Sequence, residues 1–136
     1  MRFGLALLLA AAPAFAAPPA PESFLGHAVG ADRRLADYGQ IVRYFETLDQ
    51  GSDRLDLVRL GKTTLGRDMV MAVISSPANL RAADRWRDVA RRLAWPDGLE
   101  APEAERLVAE GKVILLVGCN IHSSEIGASQ MAMEWA

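Results

Sequence analysis

Glu125 follows His122 by three positions in the stretch Gly118–Ala136, GCNIHSSEIGASQMAMEWA. One imidazole nitrogen and one carboxylate oxygen suit zinc, which takes nitrogen at about 2.0–2.1 Å and oxygen at about 2.0–2.2 Å. Ser123 or Ser124 can cap a following helix, which would put Glu125 in its first turn and His122 just outside. A three-residue step across a helix start brings both side chains to one side. A catalytic zinc usually takes three protein ligands and leaves a place for water. The pair supplies two. The same residues also suit an ordinary polar turn, because a glutamate near a helix N-terminus is favoured by the helix dipole and a turn histidine needs no metal. The spacing alone leaves both readings open.

Other chemistry-bearing residues add little to the pair. His27 lies in FLGHAVG, an irregular stretch, and reads as a surface residue. Cys119, the one cysteine, stands at the end of an apolar run and reads as a small buried hydrophobe. Ser123 and Ser124 lack the Gly-x-Ser-x-Gly surround of a hydrolase nucleophile. Glu134 sits well inside the last helical pattern and is a poor candidate for a catalytic base.

The elements that must hold the pair follow from periodicity. Tyr38, Ile41, Val42, Phe45 and Leu48 share a helical face, with Asp37 and Gln40 spaced as a capping box and Gly51 as a stop. Arg54–Leu60 and Met69–Ile74 read as two strands joined by GKTTLGRD, antiparallel neighbours. Asn79–Leu93 returns to helical spacing, with Arg81, Arg85, Arg87, Arg91 and Arg92 on a solvated face diluted by Asp84 and Asp88. Pro102–Glu110 is a short helix capped by Gly111. Lys112–Gly118 (KVILLVG) is apolar at both alternating sets of positions, as in a strand covered on both faces. Ile126–Ala136 is helical again, with Met131 and Trp135 four apart. This order predicts an α/β layered domain with a mixed sheet, and ligand sites in such domains lie at the carboxyl ends of the strands. CNIHSSE stands at that end of the most apolar strand.

Residues 1–16 have the layout of a secretory signal peptide: one basic residue, Arg2, an apolar run from Phe3 to Ala12, then Pro13 and Ala14-Phe15-Ala16. About ten apolar residues cannot cross a hydrocarbon core of roughly 30 Å, and no later segment is apolar enough, so membrane insertion is not expected. Export to the periplasm or outside the cell is expected. Residues 17–31 form a Pro-rich arm and residues 32–136 the domain. The formal charge is −2, falling to −3 without Arg2, which argues against nucleic acid as a partner. One cysteine excludes a disulfide scaffold.

Three stretches in order resemble the zinc carboxypeptidases, the carboxypeptidase A-like metallopeptidases: LGKTTLGRDMVMAVISSP (60–77), KVILLVGCNIH (112–122) and HSSEIGASQMAMEWA (122–136). The arm and first helix, FLGHAVGADRRLADYGQIVRYFETL, resemble the start of large exported bacterial members. The resemblance implies a three-layer α/β/α domain with a mixed sheet, of which this chain carries the N-terminal part. It implies zinc held by His122, Glu125 and a second histidine. It also implies water activated at the metal and deprotonated by a glutamate, and a peptide or amide substrate, often one with a free C-terminal carboxylate.

The sequence departs from that pattern after Glu125. The second histidine, the catalytic glutamate and the substrate-binding residues would all lie beyond residue 136, and the apolar pattern runs uncapped through MEWA. The expectation is therefore the first third of a catalytic domain, inactive by itself. The competing expectation is an exported, non-catalytic module that binds a peptide or partner, with His122 and Glu125 structural.

Overall fold

The computed structural model describes residues 17–136. The expected signal peptide lies outside the described residues.

The chain runs α1 (Pro21–Leu25), α2 (Tyr38–Gly51), β1 (Leu55–Lys62), β2 (Asp68–Ile74), α3 (Pro77–Arg81), α4 (Ala83–Ala94), α5 (Ala101–Glu110) and α6 (Gly127–Trp135). This is an α/β arrangement, as the residue pattern predicts. Helix α2 begins with the expected capping box. The Asp37 carboxylate accepts from the Gln40 N–H at 2.8 Å, and the Gln40 side chain accepts from the Asp37 N–H at 2.9 Å. Two otherwise orphaned N–H groups are thereby satisfied.

β1 and β2 pair antiparallel, with Leu57 opposite Ala72 and a register irregularity between Arg59 and Gly61. At the turn, Gly66 takes φ +73°, a conformation that costs a side-chain-bearing residue energy. A two-stranded hairpin is marginal unless one face is covered. Here α2 covers it. Tyr44, Phe45 and Leu48 of α2 pack with Leu55 of β1 and Met133 of α6, and Leu57 and Ala72 join from the hairpin. Met133 is 1% exposed, and burying such a side chain stabilises by about 1.5–3 kcal/mol.

The Pro-rich arm carries an element that composition did not reveal. Pro21 opens α1, which Gly26 ends in a left-handed conformation. Phe24 of α1 meets Tyr44 edge to face at 5.3 Å, and the Tyr44 hydroxyl donates to the Pro19 carbonyl at 3.1 Å. An aromatic pair of this kind adds about 0.5–1.5 kcal/mol beyond its area.

The helix expected over Asn79–Leu93 is divided. Ser76 caps α3, and the Ala82 N–H bonds back to the Asn79 carbonyl in a tighter turn before α4 starts. Val89 of α4 and Leu107 of α5 are buried, and Arg92–Glu103 (2.8 Å) and Arg85–Glu110 (2.7 Å) tie α4 to α5. Gly111 ends α5. A Cβ there would stand 2.9 Å from the Leu107 carbonyl oxygen, so the close approach requires glycine. The expected solvated arginine face is present, with Arg87 and Arg91 also paired to Asp84 and Asp88.

Lys112–Gly118 does not form the expected buried strand among the described residues. The only sheet described there is the hairpin, whose strands pair with each other. Val113 is fully exposed, and Leu115 and Leu116 are 74% and 80% exposed. A strand is stabilised by ladder hydrogen bonds and by cover on its faces. Neither is present for this segment, so apolar sequence alone leaves it extended and unpaired. No helix among the described residues is long and apolar enough to cross a membrane.

Candidate metal centre

The segment 111–120, which has no regular secondary structure, delivers the chain to a tight turn, His122–Glu125. Asn120 adopts φ +56°, the left-handed region that asparagine tolerates better than most residues. The turn then closes on itself. The Glu125 N–H donates to the His122 carbonyl at 3.0 Å, and the His122 N–H donates to Glu125 Oε2 at 3.1 Å. The other carboxylate oxygen, Oε1, lies 2.7 Å from His122 Nδ1. The sequence brings these two side chains together as expected.

The route to that proximity differs from the capping expected of Ser123 or Ser124. Helix α6 starts at Gly127, Ile126 is its N-cap residue, and no side chain caps it. Glu125 thus precedes the first turn. Its carboxylate turns back to the His122 N–H instead of facing α6. A carboxylate is the stronger acceptor, and a charge-assisted bond that it accepts from a backbone N–H outweighs one accepted by a serine hydroxyl. The imidazole contact, then the backbone N–H, hold the Glu125 carboxyl below the ordinary glutamate range, with slight burial opposing. The carboxylate is therefore ionised at neutral pH, as a metal ligand must be.

The pair fits two positions of a zinc shell. Nδ1 and Oε1 already converge, and a tetrahedral ion at ~2.0–2.1 Å from each would hold them about 3.3 Å apart. Opening the contact by roughly half an ångström is a small side-chain adjustment on an exposed turn. Among the described residues, no group of three or more His, Cys, Asp or Glu side chains could hold a metal ion. His27 instead lies against its neighbour, with Nδ1 3.0 Å from the Ala28 carbonyl oxygen. Cys119 is a free, exposed thiol and not the buried hydrophobe that its position suggested. It is exposed because the segment before it has no cover. Glu134 is exposed on α6.

One important residue was missed. Met131 and Trp135, four apart in the helical pattern, are 43% and 60% exposed, and Gln130 and Met133 are the buried residues of α6. Gln130 Oε1 accepts from the Gly30 N–H at 2.9 Å, and Nε2 donates to the Arg34 carbonyl at 3.0 Å. Ile126, Gln130 and Met133 stand at the i, i+4, i+7 spacing of one helical face. Ile126 is nevertheless 52% exposed, so that spacing does not single out Gln130.

The model of the zinc carboxypeptidase family, Peptidase_M14, matches residues 41–136. No curated protein and no solved structure matches the chain. The matched range runs from α2 through the hairpin to the His122–Glu125 turn and α6.

Proposed function

From the premise that the chain belongs to the zinc carboxypeptidase family, we infer that it is the N-terminal part of an exported zinc metallocarboxypeptidase that hydrolyses peptide bonds. The observation that carries this reading is the convergence of His122 Nδ1 and Glu125 Oε1 at 2.7 Å within the matched range.

In this reading His122 and Glu125 hold the metal, with a second histidine from outside these 136 residues. Zinc held there supplies Lewis-acid polarisation of a carbonyl and activation of water. The chain's own contribution is orientation. The two backbone hydrogen bonds of the 122–125 turn fix the imidazole and the carboxylate on one side. Ionisation of Glu125 is favoured before any metal arrives, so a metal would displace only the ring proton that His122 Nδ1 donates to that carboxylate. The general base and the groups that grip the substrate are not assigned to residues of this segment. The substrate class is a peptide or a related amide. The N-terminal layout of residues 1–16 supports export.

Zinc binding tests the assignment directly. Competition with a chromogenic chelator should show weak binding by the 136-residue chain, reduced by His122→Ala and by Glu125→Gln. A longer protein that carries a further histidine should bind zinc tightly and release C-terminal residues from peptides. Zinc binding unchanged by either substitution would overturn the reading and leave a non-catalytic peptide-binding module in its place.

A further inference from the structure

The turn that bears His122 and Glu125 has few attachments to the rest of the molecule. Upstream, residues 112–118 are extended and pair with no strand among the described residues. Downstream, the turn passes directly into α6, with the Ala128 N–H bonded to the Glu125 carbonyl at 3.3 Å. The placement of the turn therefore depends on how α6 is held.

Gln130, Met133 and the smaller Ala132 hold α6. Met133 enters the core beside Leu48, but an apolar contact restrains rotation and sliding of a helix only loosely. Gln130 is different. It is 5% exposed, and it is the buried polar residue among the described side chains. Both ends of its amide are used, on Gly30 and Arg34, roughly a hundred positions earlier in the chain. Directed hydrogen bonds at both ends fix the helix in rotation and along its axis. A buried amide left unpaired would cost about 1–3 kcal/mol, so the alternative placements are disfavoured.

The same N-terminal segment meets the turn on its other side. Leu35 and Ala36 line a small cavity of about 160 Å3 together with Asn120, Ile126 and Ser129. Residues 30–36 thus bond to α6 through Gln130 and face Asn120, Ile126 and Ser129 across that cavity.

We propose that residues 30–36 are a clamp for the ligand turn and that Gln130 is its positioning residue. The clamp sets where the imidazole and carboxylate stand relative to the domain, which decides whether a third ligand can reach the same ion. The inference rests on the metal reading only for what the turn does, since the clamp itself is tested without metal.

The single cysteine gives the test. A nitroxide spin label on Cys119 in the full 136-residue chain should broaden the amide resonances of Leu35 and Ala36. Gln130→Met conserves volume and leaves Met133 in place, but removes both directed bonds. Broadening at Leu35 and Ala36 should fall several-fold in that variant, and the order parameters of residues 122–125 should drop toward mobile values, below about 0.6. The α2 resonances of Tyr44 and Phe45 should not change. Gln130→Glu keeps the acceptor for Gly30 and, when ionised, loses the donor to Arg34, so it should fall between the two. A turn equally ordered and equally close to Leu35 in Gln130→Met would overturn the clamp. Collapse of the α2 signals as well would also overturn it, by showing that Gln130 supports the whole core. Failure of zinc to bind would count against the metal reading and leave this result standing.

Discussion

Leu48 and Leu116 are the same side chain in opposite surroundings. Leu48 is 4% exposed, held between the β1–β2 hairpin and the adjoining helices, whereas Leu116 is 80% exposed in an extended segment. The sequence around Leu116 (VILLVG) is the more apolar of the two, against FETLDQG around Leu48, so local hydrophobicity does not decide which is buried. Partnership does. Residues 37–74 contain a helix with one apolar face and a hairpin with one apolar face, and each covers the other. Residues 112–118 are apolar on two faces and need two covers and two neighbouring strands. None of these is among the described residues. An amphipathic element can satisfy itself within a short span of chain, whereas a doubly apolar strand depends on the rest of its sheet.

The largest effect that would break this contrast is on stability. Leu48→Ala should cost about 2–5 kcal/mol by chemical denaturation, and Leu116→Ala should stay within roughly 0.5 kcal/mol. Equal losses at the two positions would mean that Leu116 is covered in solution. Next is self-association. Val113–Val117 is uncharged, lacks proline and presents open backbone groups, a pattern that invites strand pairing between copies. Leu115→Asp should raise the concentration at which the chain remains monomeric, measured by light scattering, without lowering its denaturation midpoint. A smaller effect belongs to the covered region. Asp37→Ala removes one half of the capping box and should cost about 1 kcal/mol, with the loss confined to the α2 N-terminus in amide exchange.

The same distinction explains what could be read from the residues. The capping box of Asp37 and Gln40, the hairpin and its glycine turn, and the proximity of His122 to Glu125 all depend on neighbours within a few positions. The sequence expresses them directly. The contacts of Gln130 with Gly30 and Arg34 span the whole domain, and no local pattern encodes them. Helix α1 was hidden for a different reason: its Pro-rich composition suggests a linker, yet Phe24 finds Tyr44 and fixes the arm. The apolar run 112–118 was informative about the environment it requires and not about the one it has here. The family match covers this run.

The smallest predicted effect lies in the one ordered feature of the open region, the His122–Glu125 turn. Two contacts from His122 lower the Glu125 pKa, first the imidazole and second the backbone N–H. A carboxyl whose folded pKa is depressed adds stability above its unfolded pKa, and that contribution is lost as pH falls through the folded value. The loss therefore falls below the ordinary glutamate range, and neutral or alkaline pH leaves the turn intact. His122→Ala removes the imidazole but keeps the N–H of residue 122. The Glu125 midpoint, followed by carboxyl carbon NMR, should then rise part of the way toward an ordinary glutamate. A full return would mean that the backbone bond requires the imidazole to hold the carboxylate in place. No movement at all would mean that the imidazole does not touch Glu125 in solution.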